Sequence, residues 1–353
     1  MENARWEFVT GPVASGGLDA VTSTDATRKY VRRLNSADTA TITADARAES
    51  AVVVDELAYD LWVYRDGVAV HRGRIGPTDD DIDSRQHKVT LTSWGYRQLL
   101  DYRYTEPADT LSFAPGTDVA AIAWSLINAT QGRTGGSLGI TKSTTGFDGS
   151  GVANTGVTAE RNYVADKAIG TLIDQLGDAK GFDWDISPAR QLRVWGTRRG
   201  GDNGYTLLWG GNVAQVKRAF NPSAFANAIA ATGSASAPRS PASGALTTAG
   251  IATDPRGRWE ARTAYGTVAQ QATLDQHAAA DLALRATPSY AWTVTMFPGR
   301  WGGFDALDVG DTASLAVKSG RLVVAADVRI TEIAVTLPVT GEEQVTIKAE
   351  QLS

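Results

Sequence analysis

Apolar and polar residues alternate with period two through most of the first hundred positions. Ala40, Ile42 and Ala44 alternate with threonines, and a polar loop follows Asp45. Leu61-Trp62-Val63-Tyr64 and Val68-Ala69-Val70 are apolar runs on either side of Arg65-Asp66-Gly67. Asp-Gly tolerates the positive φ angles of a tight hairpin turn. The stretch therefore predicts two antiparallel strands, the second continuing through His71-Arg72-Gly73-Arg74-Ile75. The acidic run Asp79-Asp80-Asp81-Ile82-Asp83 reads as a loop. Val89 and Leu91 then alternate with polar neighbours up to Trp94-Gly95-Tyr96, and Leu99-Leu100 begins a helical turn. Residues 1–104 predict a small barrel or sandwich.

The period changes near Tyr104. Val119, Ile122, Ala123, Leu126 and Ile127 recur at one-face helical spacing, with Thr117 or Asp118 as cap and Gly132 beyond the end. A loop rich in Gly, Ser and Thr runs from Gly132 to Gly156. A second helical stripe follows: Ala165, Ala168, Ile169, Leu172, Ile173 and Leu176, stopping at Gly177 to Gly181. Phe182, Trp184 and Ile186 then alternate with Asp183 and Asp185, and Leu192 and Val194 with arginines, across a Ser187-Pro188-Ala189 turn. Two helices on a small sheet make residues 105–204 an α+β unit.

Strand character returns at Tyr205. Trp209-Gly210-Gly211-Asn212-Val213 leads to Phe220-Asn221-Pro222 and an alternating run through Ile229, so residues 205–240 start a second β unit. Gly233 to Gly250 is almost wholly Gly, Ala, Ser, Pro and Thr, and reads as a loop. Thr267 to Thr287 is alanine-rich and helical, with Pro288 as its stop, making residues 241–299 a loop-and-helix insertion. Residues 300–353 complete the second β unit. Its strands are Thr312 to Val317, Leu322 to Ile330, and a closing pair with Ile333, Val335 and Leu337 before a Thr340-Gly341 turn and Val345, Ile347 and Ala349 after it. The fold class is mainly β with α+β insertions, barrel-like at both ends.

The chain has 353 residues, 36 of them glycine and ten of them tryptophan. That pairing suits short strands joined by many turns. A formal charge of −5 argues against gripping phosphate by bulk electrostatics. Cysteine is absent, which excludes disulfides, zinc thiolates and thiol nucleophiles. Met1 to Pro12 lacks the apolar core of a signal peptide, and Val119 to Ile127 is far shorter than the roughly 18 residues a membrane span needs. The expectation is a protein kept in the cytosol or built into a particle assembled there.

Each chemical reading has a structural competitor. His71 on a hairpin strand, His87 in a polar loop and His277 amid alanines form no metal-binding pair, and surface or partly buried roles outweigh catalysis. The run from Asp79 to Asp83 offers carboxylates to calcium, but its acids are contiguous with no glycine among them, so a solvated loop is the stronger reading. Asp183 and Asp185 share one strand face nearly 7 Å apart, which does not forbid a glycoside-hydrolase pair, yet amphipathic alternation explains them. Trp184, Trp195, Trp209, Trp259 and Trp301 offer a sugar-stacking surface, against the commoner fate of strand tryptophans in a core. Trp301, in Pro298-Gly299-Arg300-Trp301-Gly302-Gly303, is the exception: a loop ring with little to pack on, suited to plugging a neighbouring subunit. No Gly-x-x-x-x-Gly-Lys phosphate loop or dinucleotide fingerprint occurs.

One combination resembles a known family. The hairpin from Leu61 to Ile75, followed by an alternating strand and Trp94-Gly95-Tyr96-Arg97-Gln98-Leu99-Leu100, resembles a signature of the phage tail hub proteins, also called minor tail, baseplate hub or tail-associated proteins. Gly181 to Asp185, Phe220-Asn221-Pro222 with Asn227, and Val309-Gly310-Asp311 before a strand are similar to later parts of that family, in order. The resemblance implies a non-enzymatic homotrimeric ring at the tail tip, each subunit giving two related barrels that continue the sixfold tail tube. It implies contacts with the distal tail protein, the tape-measure protein and other minor tail or receptor-binding proteins, passage of DNA without specific binding, and no cofactor or metal. Many relatives carry hydrolase or receptor-binding extensions, and with its last strands just before Ser353 this chain is expected to leave those functions to other proteins. A DNA conduit should repel phosphates, so Asp79, Asp80, Asp81 and Asp83 are expected to face the lumen.

Overall fold

The computed structural model describes residues 4–13, 20–21, 27–46, 54–83, 87–109, 111–163, 165–220, 222, 225–233, 246–264, 271–287, 290–339 and 342–352. Asn221, the middle of the Gly233–Gly250 stretch, the helix start at Thr267, Pro288 and the Thr340-Gly341 turn lie outside the described residues.

Among the described residues, seven strands precede the first helix: β1 (Trp6–Pro12), β2 (Ala20–Val21), β3 (Thr27–Arg33), β4 (Thr39–Asp45), β5 (Tyr59–Arg65), β6 (Val68–Ile82) and β7 (His87–Gly95). They pair antiparallel in the order β2-β1-β5-β6-β7-β4-β3. The β5–β6 turn is the Asp-Gly pair, with φ of 51° at Asp66 and 79° at Gly67, both left-handed as a two-residue hairpin turn requires. Strand β6 does not stop at the acidic run. Asp79, Asp80 and Asp81 face Thr90, Val89 and Lys88 of β7, so these acids are strand and not loop. Aspartate disfavours strands in general, but this end of the sheet is exposed, Lys88 across the ladder supplies compensating charge, and His87 lies 2.8 Å from Asp80.

A helical turn, α1 (Tyr96–Leu99), leads into the middle unit: β8 (Ser112–Asp118), α2 (Val119–Gln131), β9 (Thr141–Lys142), β10 (Thr158–Asn162), α3 (Ile169–Lys180), β11 (Asp183–Ile186) and β12 (Gln191–Trp195). Helix α2 begins at its expected cap, where Asp118 Oδ1 accepts the Ala120 N–H at 2.8 Å, and ends at Gly132. Helix α3 starts later than its apolar stripe suggests, because Asp166 adopts φ 63°, a left-handed conformation no helix interior accepts. Gly181, at φ 73°, ends it.

The remaining elements are β13 (Asp202–Leu208), β14 (Val213–Phe220), β15 (Ala228–Thr232), β16 (Leu246–Thr247), β17 (Glu260–Ala264), α4 (Gln271–Arg285), β18 (Tyr290–Met296), β19 (Thr312–Ser319), β20 (Leu322–Leu337) and β21 (Gln344–Gln351). The alternating run expected from Phe220 to Ile229 is broken between β14 and β15, which belong to different sheets. Strands β15 to β17 form a small sheet on which α4 packs Leu274 and Ala278 against Ala226, Ile229 and Ala231. The rest order as β14-β18-β21-β20-β19-β13, and the Trp209–Val213 bridge brings the two outer strands of this set together.

The two strand sets are one sheet, and β20 makes them so. The strands expected separately at Leu322 to Ile330 and Ile333 to Leu337 are one 16-residue strand with a register shift between Ile330 and Glu332. Its first half pairs with β19 and its second half, on the same edge, with β3. One apolar cluster accordingly runs through both sets, with Phe8, Tyr30, Ile42 and Leu61 from the first and Trp292, Leu315, Ile330 and Ile347 from the second.

Two glycines test the backbone argument. A Cβ at Gly67 meets nothing within 4 Å, so Gly67→Ala carries only the φ penalty and should lower the unfolding free energy by about 1 kcal/mol. A Cβ at Gly200 (φ 85°) would stand 2.3 Å from the Gly310 carbonyl carbon. Gly200→Ala should therefore cost on the order of 3 kcal/mol or more, both values read from urea unfolding midpoints.

Candidate assembly site

The chemistry-bearing side chains converge where the three parts of the chain meet. Arg32 from β3 reaches Asp308, in the turn before β19, at 2.9 Å. The other Asp308 oxygen takes Arg199, just beyond β12, at 2.9 Å, and Arg199 also reaches Asp185 of β11 at 2.7 Å. Arg193 grips Asp185 through both oxygens, at 2.7 and 2.5 Å. Asp183 accepts Asn35 Nδ2 on one oxygen, and the Arg199 N–H and Arg329 of β20 on the other. Tyr30 Oη lies 2.8 Å from the Val70 carbonyl and 3.0 Å from Asp38, and accepts Arg32 Nε at 2.9 Å. Burial pushes the Asp308 carboxyl up, but Arg32 and Arg199 more than offset this and hold it below the usual range. Every oxygen of Asp183 and Asp185 is taken by this scaffold. The pair weighed for glycoside hydrolysis is committed to holding strands together.

The residues that carry the family resemblance act in the same way. Asp60 is fully buried at the centre of the hairpin and accepts Arg72 at 2.9 Å, Arg74 at 3.2 Å and Tyr96 Oη at 2.7 Å. A Cβ at Gly73 would lie 2.2 Å from the Trp94 carbonyl oxygen, so the glycine between those arginines is required by close strand approach. Arg97 stacks 3.9 Å over Trp184 and bonds Asp174, tying α1 to the middle unit. Asp311 of Val309-Gly310-Asp311 accepts the Gly201 and Asp308 N–H groups at 3.0 and 2.8 Å, locking the turn before β19.

The tryptophans do not assemble into a platform. Trp301, expected to project toward a neighbour, is 1% exposed. Gly302 and Gly303, at φ 85° and 89°, fold its loop back so that the ring packs edge-on against Phe304 at 4.8 Å and under Arg65 at 5.2 Å. Trp184 is also core, and Trp195 lies against Arg193 and Arg199. Trp209 and Trp259 are exposed, but the first sits at the β13–β14 turn and the second beside Phe225 in the β15–β17 insertion. His71 is buried with Nε2 3.0 Å from Ser93 Oγ, His87 pairs with Asp80 at 2.8 Å, and His277 lies on α4. Gly135-Gly136-Ser137-Leu138-Gly139 has the spacing of a nucleophile elbow, but it follows a helix and precedes a strand, the reverse of the context that motif requires. Among the described residues no cluster of three acids or histidines could hold a metal, and no helix is long and apolar enough to cross a membrane.

Asp79, Asp80 and Asp81 stand exposed on the far end of β6, together with Ile82 at 70% exposure. An edge of opposite charge is β14, where Lys217, Arg218 and Phe220 are exposed. The buried network and these edges are what the sequence reading missed. Arg32-Arg33 and Arg198-Arg199 stand out as basic pairs in an acidic chain, but the partner that Arg32 and Arg199 share, Asp308, lies 276 and 109 positions away in sequence.

Neither family models nor curated proteins match this chain. Solved structures do. A tail protein of Neisseria meningitidis is similar over 99% of this chain and 96% of its own, at 12% identity and a TM-score of 0.66. The 43 kDa tail protein of prophage MuSo2 from Shewanella oneidensis is similar over 97% of this chain and 98% of its own, also at 12% identity and a TM-score of 0.66. An E. coli component of the type VI secretion system, itself structurally similar to the T4 tail proteins gp27 and gp5, aligns over 93% of this chain and 73% of its own, at 11% identity and a TM-score of 0.52. The chain has the fold of phage tail proteins.

Arg199→Ala removes a buried guanidinium shared by the partly buried Asp185 and Asp308 and should lower stability by about 2–3 kcal/mol, against about 1 kcal/mol for the more exposed Arg193→Ala. Burial, helped by Arg32, lowers the His71 pKa to about 3. The unfolded chain takes up this proton near pH 6.5 while the folded one stays neutral, so stability falls as pH drops from about 6.5 toward 3, by about 2 kcal/mol at pH 5. His71→Gln should flatten that part of the stability–pH curve, measured by chemical unfolding at each pH.

Proposed function

We propose that this protein is a structural component of a phage tail: a hub whose copies form a homotrimeric ring at the tail tip, continuing the tube and joining it to the distal adsorption apparatus. The observation that carries the reading is the full-length fold likeness to tail proteins, in which nearly all of this chain and nearly all of theirs align. The architecture adds a physical reason. Each copy brings two strand sets joined into one sheet by β20, so three copies would present six such sets to a sixfold tube. A ring is built from edges, not from a pocket, which fits carboxylates spent on internal arginines. In that role the chain meets the distal tail protein, the tape-measure protein and other minor tail or receptor-binding proteins in the virion. Its net charge of −5 lets DNA pass unheld.

Class averages of the purified protein, imaged alone and with isolated tail tubes, test this directly. A threefold ring with a central hole is expected. Monomers that neither close into rings nor cap a tube would remove the reading.

A further inference from the structure

We infer that copies of this chain join head to tail through two strand edges of opposite charge, the outer edge of β14 in one copy meeting the far end of β6 in the next, an inference that rests on the ring assembly proposed above. Among the described residues, β14 is laddered only to β18, apart from the single bridge at Val213, and its other edge is open. Strand β6 loses its β5 partner after Arg74, so from Thr78 to Ile82 it is paired with β7 alone. Both edges thus present backbone donors and acceptors with no ladder partner among the described residues.

Charge decides which pairings are allowed. Lys217 and Arg218 are adjacent on β14, so they point to opposite faces; Arg218 stacks 4.5 Å over Tyr290, and neither cation makes an ion pair among the described residues. On β6, Asp79 and Asp81 point to one face and Asp80 to the other, and Asp79 and Asp81 likewise make no ion pair among the described residues. A twofold β14–β14 contact would set cation against cation on both faces. A twofold β6–β6 contact would set acid against acid. Only the mixed pairing puts opposite charges side by side on both faces, with Phe220 and Ile82 available as apolar ends. Charged edges usually block pairing altogether, but here the two edges block themselves and permit each other. A contact between two different surfaces of one chain is heterologous, and such a contact closes into a ring when the rotation permits. These acids then belong to the seam between copies and not to the lumen wall.

The absence of cysteine makes the test clean. Asp81→Cys and Lys217→Cys, on the same face, combined in one chain and oxidised should give covalent trimers on a non-reducing gel, while each single variant stays monomeric because neither cysteine meets its own copy. In sedimentation velocity, Asp79→Lys with Asp81→Lys should weaken association by about ten-fold or more, Lys217→Glu on the same face should do the same, and the three together should restore it. Unchanged far-ultraviolet circular dichroism confirms that each variant folds. Rings that form normally with the acids reversed, or loss without reciprocal rescue, or no cross-link in the double-cysteine chain, would overturn this seam while leaving the ring standing. A native chain that never forms a ring, alone or on tail tubes, overturns both.

Discussion

The rest of the structure depends on one cluster of buried charges, where Arg199 bridges Asp185 and Asp308 while Arg32 and Arg329 approach from two strands. Buried ion pairs are a weak source of net stability, since desolvation consumes most of the Coulombic gain. Their strength lies in geometry. A guanidinium with fixed fork directions tolerates only one placement of its partners, and here those partners come from the first strand set, the middle unit and the second strand set. The network therefore fixes how the three parts sit, and it does so with little room for sliding.

Backbone contacts enforce the same arrangement at close range. Gly200 and Gly310 touch with no space for a side chain, and Asp311 accepts backbone N–H groups from both flanking turns. Strand β20 then carries the sheet from β19, paired up to Arg329, to β3, paired from Glu332. A shared apolar cluster fills the interior that results. Close packing across the joint leaves the two strand sets little room to move against each other.

The distribution of charge divides accordingly. Inside, acids and arginines are paired almost one to one and serve the fold. Outside, charge is spread over the surface, and two strand ends carry opposite signs, acidic on β6 and basic on β14.

Local signals in the sequence determined the elements. The Asp66-Gly67 turn, the capped helix after Asp118, the glycine stop at Gly181 and the alternation in β7, β18 and β21 are all short-range physics, readable because turn geometry and two face periodicities leave direct marks on residue order. The hairpin from Leu61 to Ile75 also carried enough to point to tail proteins, whose fold the chain shares. Tertiary structure alone decided the rest. Whether Asp79 to Asp81 lie in a loop or a strand depended on β7 arriving beside them, and whether Trp301 faced a neighbour or the core depended on where Gly302 and Gly303 turned it. The union of two strand sets through β20, and the bond between Arg32 and Asp308, 276 positions apart, are settled by contacts between residues that no sequence window holds together. Period and turn chemistry act over a few residues, whereas a charge's partner is chosen by the folded chain as a whole.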